Sequence, residues 1–198
     1  MKKRIKLSLL FGLVSAILLS MANFNVLCDD LRGNILRLHI VANSDSEQDQ
    51  QLKLEIRDAV LAETSDMFTQ MTDLETAKKT VGQSLETFEE IANEVIAENG
   101  FDYTAKASLE EKYFDTREYD TFTLPAGYYP SLVIELGKAE GKNWWCVVFP
   151  TVCVPAAAGD LTDSVSQESA EIATENERYV MRFKTVEIYE RIKNFIKE

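Results

Sequence analysis

Three cysteines, Cys28, Cys146 and Cys153, and one histidine, His39, are the side chains of this 198-residue chain best suited to nucleophilic or metal chemistry. A structural zinc site usually takes four Cys or His ligands, so the inventory argues against one. A nucleophile needs a base within hydrogen-bond reach. The only histidine lies in an apolar run, and no serine sits in a Gly-x-Ser-x-Gly elbow. Six residues, including Pro150, separate Cys146 from Cys153. That spacing allows a short disulfide loop in an oxidising compartment, and equally two packed thiols in the apolar run Trp144 to Val154.

Asn43, Asp45, Glu47 and Asp49 alternate as the oxygen ligands of a calcium loop do. The loop fails where it matters, because position six is Gln48 in place of glycine and position twelve is Leu54 in place of a bidentate Glu. Helix capping explains the same residues: Ser44…Glu47 and Ser46…Asp49 both have capping-box spacing. The eight glycines are dispersed and form no phosphate-binding loop. No metal, no cofactor and no enzymatic activity are expected.

The elements that must position these residues follow from charge and periodicity. With 21 basic against 33 acidic residues the formal charge is -12, the wrong sign for a nucleic acid or an anionic membrane surface. Met1-Lys2-Lys3-Arg4-Ile5-Lys6 precedes an apolar run from Leu7 to Ala22, the layout of a signal peptide, with Ser20 and Ala22 as small residues at a cleavage site. An uncleaved anchor is the alternative, the run being just short of the roughly 17–25 residues that span a bilayer. Residues 1–22 are therefore read as signal peptide or anchor, 23–34 as a linker, and 35–198 as one domain. Without residues 1–22 the chain carries 17 basic against 33 acidic residues, or -16.

Ile35 to Ala42 reads as a strand, and Leu52, Ile56, Ala59 and Val60 make one helical stripe. Leu74, Ala77, Val81, Leu85, Phe88, Ala92 and Val95 predict a second helix that stops at Gly100. From Phe101 the period changes to two, predicting half-buried antiparallel strands. The runs Leu132–Leu136 and Trp144–Phe149, joined by a glycine-containing hairpin loop, read as the sheet interior. Residues 156–177 read as an acidic solvated loop, and the tail as a last amphipathic helix. The expected fold is α+β: a mainly antiparallel sheet of about five strands with two N-terminal helices and one C-terminal helix packed on it. Trp144 and Trp145 fall on opposite faces of their strand, as a partner anchor or as core packing on one face and helix cover on the other.

Two blocks carry a resemblance. Leu38-His39-Ile40-Val41-Ala42-Asn43-Ser44-Asp45-Ser46, continued by Asp49 to Leu54 and by Arg57-Asp58-Ala59-Val60, is similar to the opening motif of the stage II sporulation protein R family. Leu124-Pro125-Ala126-Gly127-Tyr128-Tyr129 and Gly141-Lys142-Asn143-Trp144-Trp145-Cys146-Val147-Val148-Phe149-Pro150 with Cys153 resemble a second block, and Val180 to Glu187 its C-terminal signature. The resemblance implies a non-enzymatic signalling protein of endospore formation. It would be exported from the forespore to the intermembrane space, where it activates a membrane-embedded aspartic protease that processes the sigma-E precursor in the mother cell. Asn43, Asp45, Asp49, Arg57, Trp144 and Trp145 are the candidate partner contacts, and Cys146 with Cys153 the candidate disulfide. A secreted cell-wall hydrolase and a structural module of the intermembrane space are the alternatives.

Overall fold

The computed structural model describes residues 2–119, 121–152, 161 and 164–197. The architecture is α+β, and the chain divides into two compact units: residues 1–32, 114–127 and 166–198 form one, and 33–113 and 128–165 the other.

The second unit holds the sheet. Its elements in chain order, after a first helix α1 (Lys2–Gly33), are β1 (Leu36–Val41), α2 (Glu47–Glu63), α3 (Ser65–Thr69), α4 (Leu74–Gln83), α5 (Leu85–Glu98) and β2 (Ala105–Phe114). After the ribbon strands β3 (Arg117–Glu118) and β4 (Thr123–Leu124) come β5 (Gly127–Leu136) and β6 (Asn143–Phe149). The strand order is β2-β5-β1-β6. β1 pairs in parallel with β5, His39 opposite Val133, and antiparallel with β6, His39 opposite Trp145. The sheet is thus mixed and four-stranded, not mainly antiparallel with about five strands. β5 and β6 are not a hairpin: β1 lies between them, so the central strands are β5 and β1, and β6 is an edge. The local pattern concealed this because an apolar run fits a central strand and a well-covered edge equally well.

Leu36, Leu38 and Ile40 of β1 point into a core shared with Leu52, Ile56 and Val60 of α2, Val81 of α4 and Phe88 and Ile96 of α5. The stripe read from the sequence is this buried face. Four helices stand where two were expected. The single helix expected from Leu74 to Gly100 breaks at Ser84, whose N–H bonds back to Val81 O at 3.1 Å while its own C=O accepts from Phe88 N at 3.2 Å. Gly82 and Ser84 are poor helix formers, and there the chain ends one helix and starts the next. Asp73 caps α4 by accepting from Thr76 N at 2.8 Å.

The first unit contains α1, the β3–β4 ribbon, α6 (Gln167–Thr174) and α7 (Asn176–Lys197). α1 passes without interruption through the expected linker. Phe24, Cys28, Leu31 and Arg32, spaced i, i+4, i+7 and i+8, form a buried stripe. Phe24 meets Phe183 at 5.3 Å and Arg32 meets Glu190 at 4.0 Å, so α1 and α7 run parallel. Residues 5–21 expose their apolar side chains, and α1 is long and apolar enough to cross a membrane. Such a helix fits a signal peptide or an anchor. The expected acidic loop is helical over Gln167–Thr174, with Ser166 as cap and Ala170, Ile172 and Ala173 buried. Small residues at helical spacing were masked there by the acids between them.

Phe88 is fully buried and stacks on Phe68 with centroids 6.2 Å apart. Phe88→Ala is expected to lower unfolding stability by about 3–5 kcal/mol, measured as a shift in urea midpoint at unchanged slope.

Candidate functional site: a hydrogen-bonded clasp at the end of β1

Beyond Val41 the chain leaves the sheet and must start α2 within a few residues. Ser46 makes the turn possible, its hydroxyl accepting from Asp49 N at 3.1 Å as the N-cap of α2. The Asp49 carboxylate then turns back. It accepts from Asn43 Nδ2 at 3.1 Å, from the Ser44 hydroxyl, and from the Tyr103 hydroxyl at 2.6 Å. Asp49 is only 5% exposed. Burial alone would raise its pKa, but the hydrogen bonds from Ser44, Tyr103, Asn43 and Ser46 outweigh it and hold the carboxyl below its ordinary value. Tyr103 moves the other way, its phenol pushed up by burial and by the Asp49 carboxylate.

The β5–β6 connection docks on this turn. Glu140 N and Gly141 N donate to Asn43 O and Ala42 O at 3.2 and 2.9 Å. Lys138 N and Lys142 N donate to Asn43 Oδ1 and Asp45 Oδ1 at 3.0 and 2.8 Å. Two glycines allow the approach: a Cβ on Gly141 would overlap the Ser44 carbonyl, and Gly137, at φ +57°, has the Asn43 side chain where its Cβ would be. Lys53, 5% exposed, closes the far side by donating to Gln50 Oε1 at 2.7 Å and Lys142 O at 3.0 Å, and its burial lowers its pKa. Beside the clasp opens a cleft of about 580 Å³, lined by Asn43, Tyr103, Lys106, Glu135 and Lys138 among others.

The structure divides the six candidate contact residues among three places. Asn43, Asp45 and Asp49 build the clasp. Arg57 and Trp144 meet on the helix-bearing face, the guanidinium 5.0 Å from the indole centroid, with Trp144 packed against the core. Trp145 lies on the opposite face, 5.2 Å from the His39 ring and 5.9 Å from the Arg37 guanidinium. Both tryptophans are half-buried. Cys146 is buried; Cys153, and with it the candidate disulfide, lies outside the described residues. Tyr103, Lys53, Gly137 and Gly141 escaped the sequence reading as site residues. Only the glycines carried a signal, as two turn-makers bracketing a short connection.

Pairing puts Cys146 beside Leu38 on the core face and His39 beside Trp145 on the other, so these two do not form a nucleophile and its base. Burial, partly offset by a hydrogen bond with Asn143, lowers the His39 pKa and favours the neutral ring. The Asp49 oxygens face hydroxyl and amide donors, and among the described residues no cluster of His, Cys, Asp or Glu could hold a metal ion.

Asp49→Asn tests the clasp through pH. Because the folded-state pKa is depressed below the unfolded value near 3.8, the carboxylate's contribution is present above about pH 4 and is lost as pH falls through the folded value. The thermal midpoint of the wild type is expected to exceed that of Asp49→Asn at pH 7, and the gap to close towards pH 2. Gly141→Ala is expected to cost about 1–3 kcal/mol by urea denaturation, since the Ser44 backbone must move.

The stage II sporulation protein R family model matches residues 32–158. A curated relative, stage II sporulation protein R of Bacillus subtilis (strain 168), is 40% identical over 118 residues, 60% of this chain and 53% of the relative. The match thus spans about half the length of that relative. No solved structure matches. The first block that carried the resemblance runs from β1 through the following turn into α2, the second takes in Leu124–Tyr129 and the end of the β5–β6 connection with β6, β1 and β6 pair with one another, and the chain belongs to the stage II sporulation protein R family.

Proposed function

We propose that this protein is an exported, non-enzymatic signalling ligand of endospore formation. It passes from the forespore into the intermembrane space and activates a membrane-embedded aspartic protease, which then processes the sigma-E precursor in the mother cell. The observation that supports this reading best is the convergence of the family's two blocks on one clasp and its cleft, built from hydrogen bonds and without a paired nucleophile and base. A ligand of this kind acts by binding the active arrangement of its partner more tightly than the inactive one, and the difference in affinity sets how far the partner's population shifts. A preformed surface suits that task, because little ordering entropy is lost on binding.

The rim of the cleft is the expected contact, with Glu135 and Lys138 exposed and of opposite charge. Asn43 lines that cleft and is itself held by the Asp49 carboxylate, while Arg57 with Trp144 lies elsewhere on the sheet.

The test co-expresses the full chain with the protease and the precursor in a bacterium that does not sporulate, reading precursor size on a blot. The shortened form is expected only when chain and protease are both present. Glu135→Lys and Lys138→Glu are each expected to reduce conversion about tenfold with unchanged amounts of exported chain, the effect of one lost interfacial ion pair. Precursor left uncut by a folded, exported chain overturns the proposal.

A further inference from the structure

β2 forms one edge of the sheet, and its backbone phase is fixed by three hydrogen bonds. Thr104 O accepts from Gly137 N at 3.0 Å, and Tyr113 and Tyr128 meet at 5.5 Å, so β2 runs antiparallel to β5 and its even-numbered residues point their backbone groups at β5. Ala105 N and Ala107 N point the other way, donating to Asn93 Oδ1 at 2.7 Å and Glu89 Oε1 at 2.9 Å of α5. Side chains thus cap the first part of this edge. By the two-residue period the N–H and C=O groups of Leu109 and Glu111 also point outward, and among the described residues no hydrogen bond reaches them. Glu110 and Glu111 are exposed and Leu109 half-buried, so the edge is open to solvent there. An open edge is a template for another strand.

We propose that the occupant is the same edge of a second copy of this chain, in an antiparallel register centred on Glu111. The sequence is self-complementary about that residue. A two-fold axis at Glu111 sets Leu109 opposite Tyr113 and Glu110 opposite Lys112, each pair occurring twice. Glu110 and Lys112 already lie 3.6 Å apart within one strand, and the dimer closes them into an alternating cluster of four charges. Registers centred on Glu110 or Lys112 set that residue opposite its own copy and lose the Glu110–Lys112 pairs, and the next registers in which outward groups meet are closed. Centring on Leu109 drives the second strand against the Asn93 and Glu89 caps, and centring on Tyr113 runs it past the end of β2 at Phe114. Glu111 faces its own copy across the axis, an unfavourable like-charge pair. With only five residues paired, the association belongs to the weak class of interfaces.

The experiment is sedimentation equilibrium of the full chain in detergent micelles across a wide range of protein concentration, with circular dichroism to follow the fold. A reversible monomer–dimer equilibrium is expected. Glu110→Lys and Lys112→Glu are each expected to weaken it about tenfold, and the double exchange to restore it, because the opposed pairs are then reversed but intact. Glu111→Gln is expected to strengthen it, and this variant keeps the test decisive if the charge reversals disturb the fold. A monomer at every concentration overturns the proposal. So does a dimer that none of these substitutions alters, which would be held through another surface such as α1, and so does a folded double variant that stays monomeric.

Discussion

Everything around the end of β1 depends on one buried carboxylate. Removing Asp49 from water would cost several kcal/mol if its oxygens went unsatisfied, so the surrounding chain has to deliver donors to fixed points. Asn43 and Ser44 deliver them from the turn that leaves the sheet, and Tyr103 from the segment that enters β2. Residues far apart in sequence are thereby held by a single ion. Asn43 is held at both ends, since its amide nitrogen serves Asp49 while its side-chain and backbone oxygens receive the β5–β6 connection. The position of that connection, and with it one wall of the neighbouring cleft, follows from where the carboxylate sits.

The α+β class, the cap of α2 and the apolar stripes of α2, α4 and α5 were legible because each is a local pattern. Ser46 and Asp49 announce a helix start whatever the rest of the chain does. Strand order was not legible, because an apolar strand carries no mark of which neighbour it takes, and β1 inserts between two strands whose short connection imitates a hairpin. The site was legible in its residue types but not in its geometry. Asn43, Asp45 and Asp49 look like surface polar groups in sequence, yet Asp49 is nearly buried, and its fourth partner, Tyr103, is unmarked by any local motif. Phe24, Cys28 and Leu31 were hidden for the converse reason: the polar residues between them imitate a linker, and helical spacing shows itself only once the partner helix α7 is known.

The two tryptophans illustrate how one strand serves two surroundings. Alternation sends Trp144 to the helices, where Arg57 lies over its ring, and Trp145 to the other face beside His39 and Arg37. A guanidinium over an aromatic face is attracted by the ring's negative face, so each indole is paired with a cation. A dipeptide that reads as one feature in sequence therefore does two separate jobs in the fold.

The insertion of β1 between β5 and β6 also bears on how the chain acquires its structure. A polypeptide is made and threaded N-terminus first, and β1 with its four following helices emerges long before residues 131–135 and 143–149 that complete the sheet on both sides of it. Until then the helices can gather locally, but the strand at the centre of the future core has nothing to bond with. Such long-range closure is slow compared with helix formation. The clasp and its cleft are accordingly late features of the chain's history, formed only once the β5–β6 connection is available, so a truncated or stalled chain carries the opening motif without the clasp that motif helps to build.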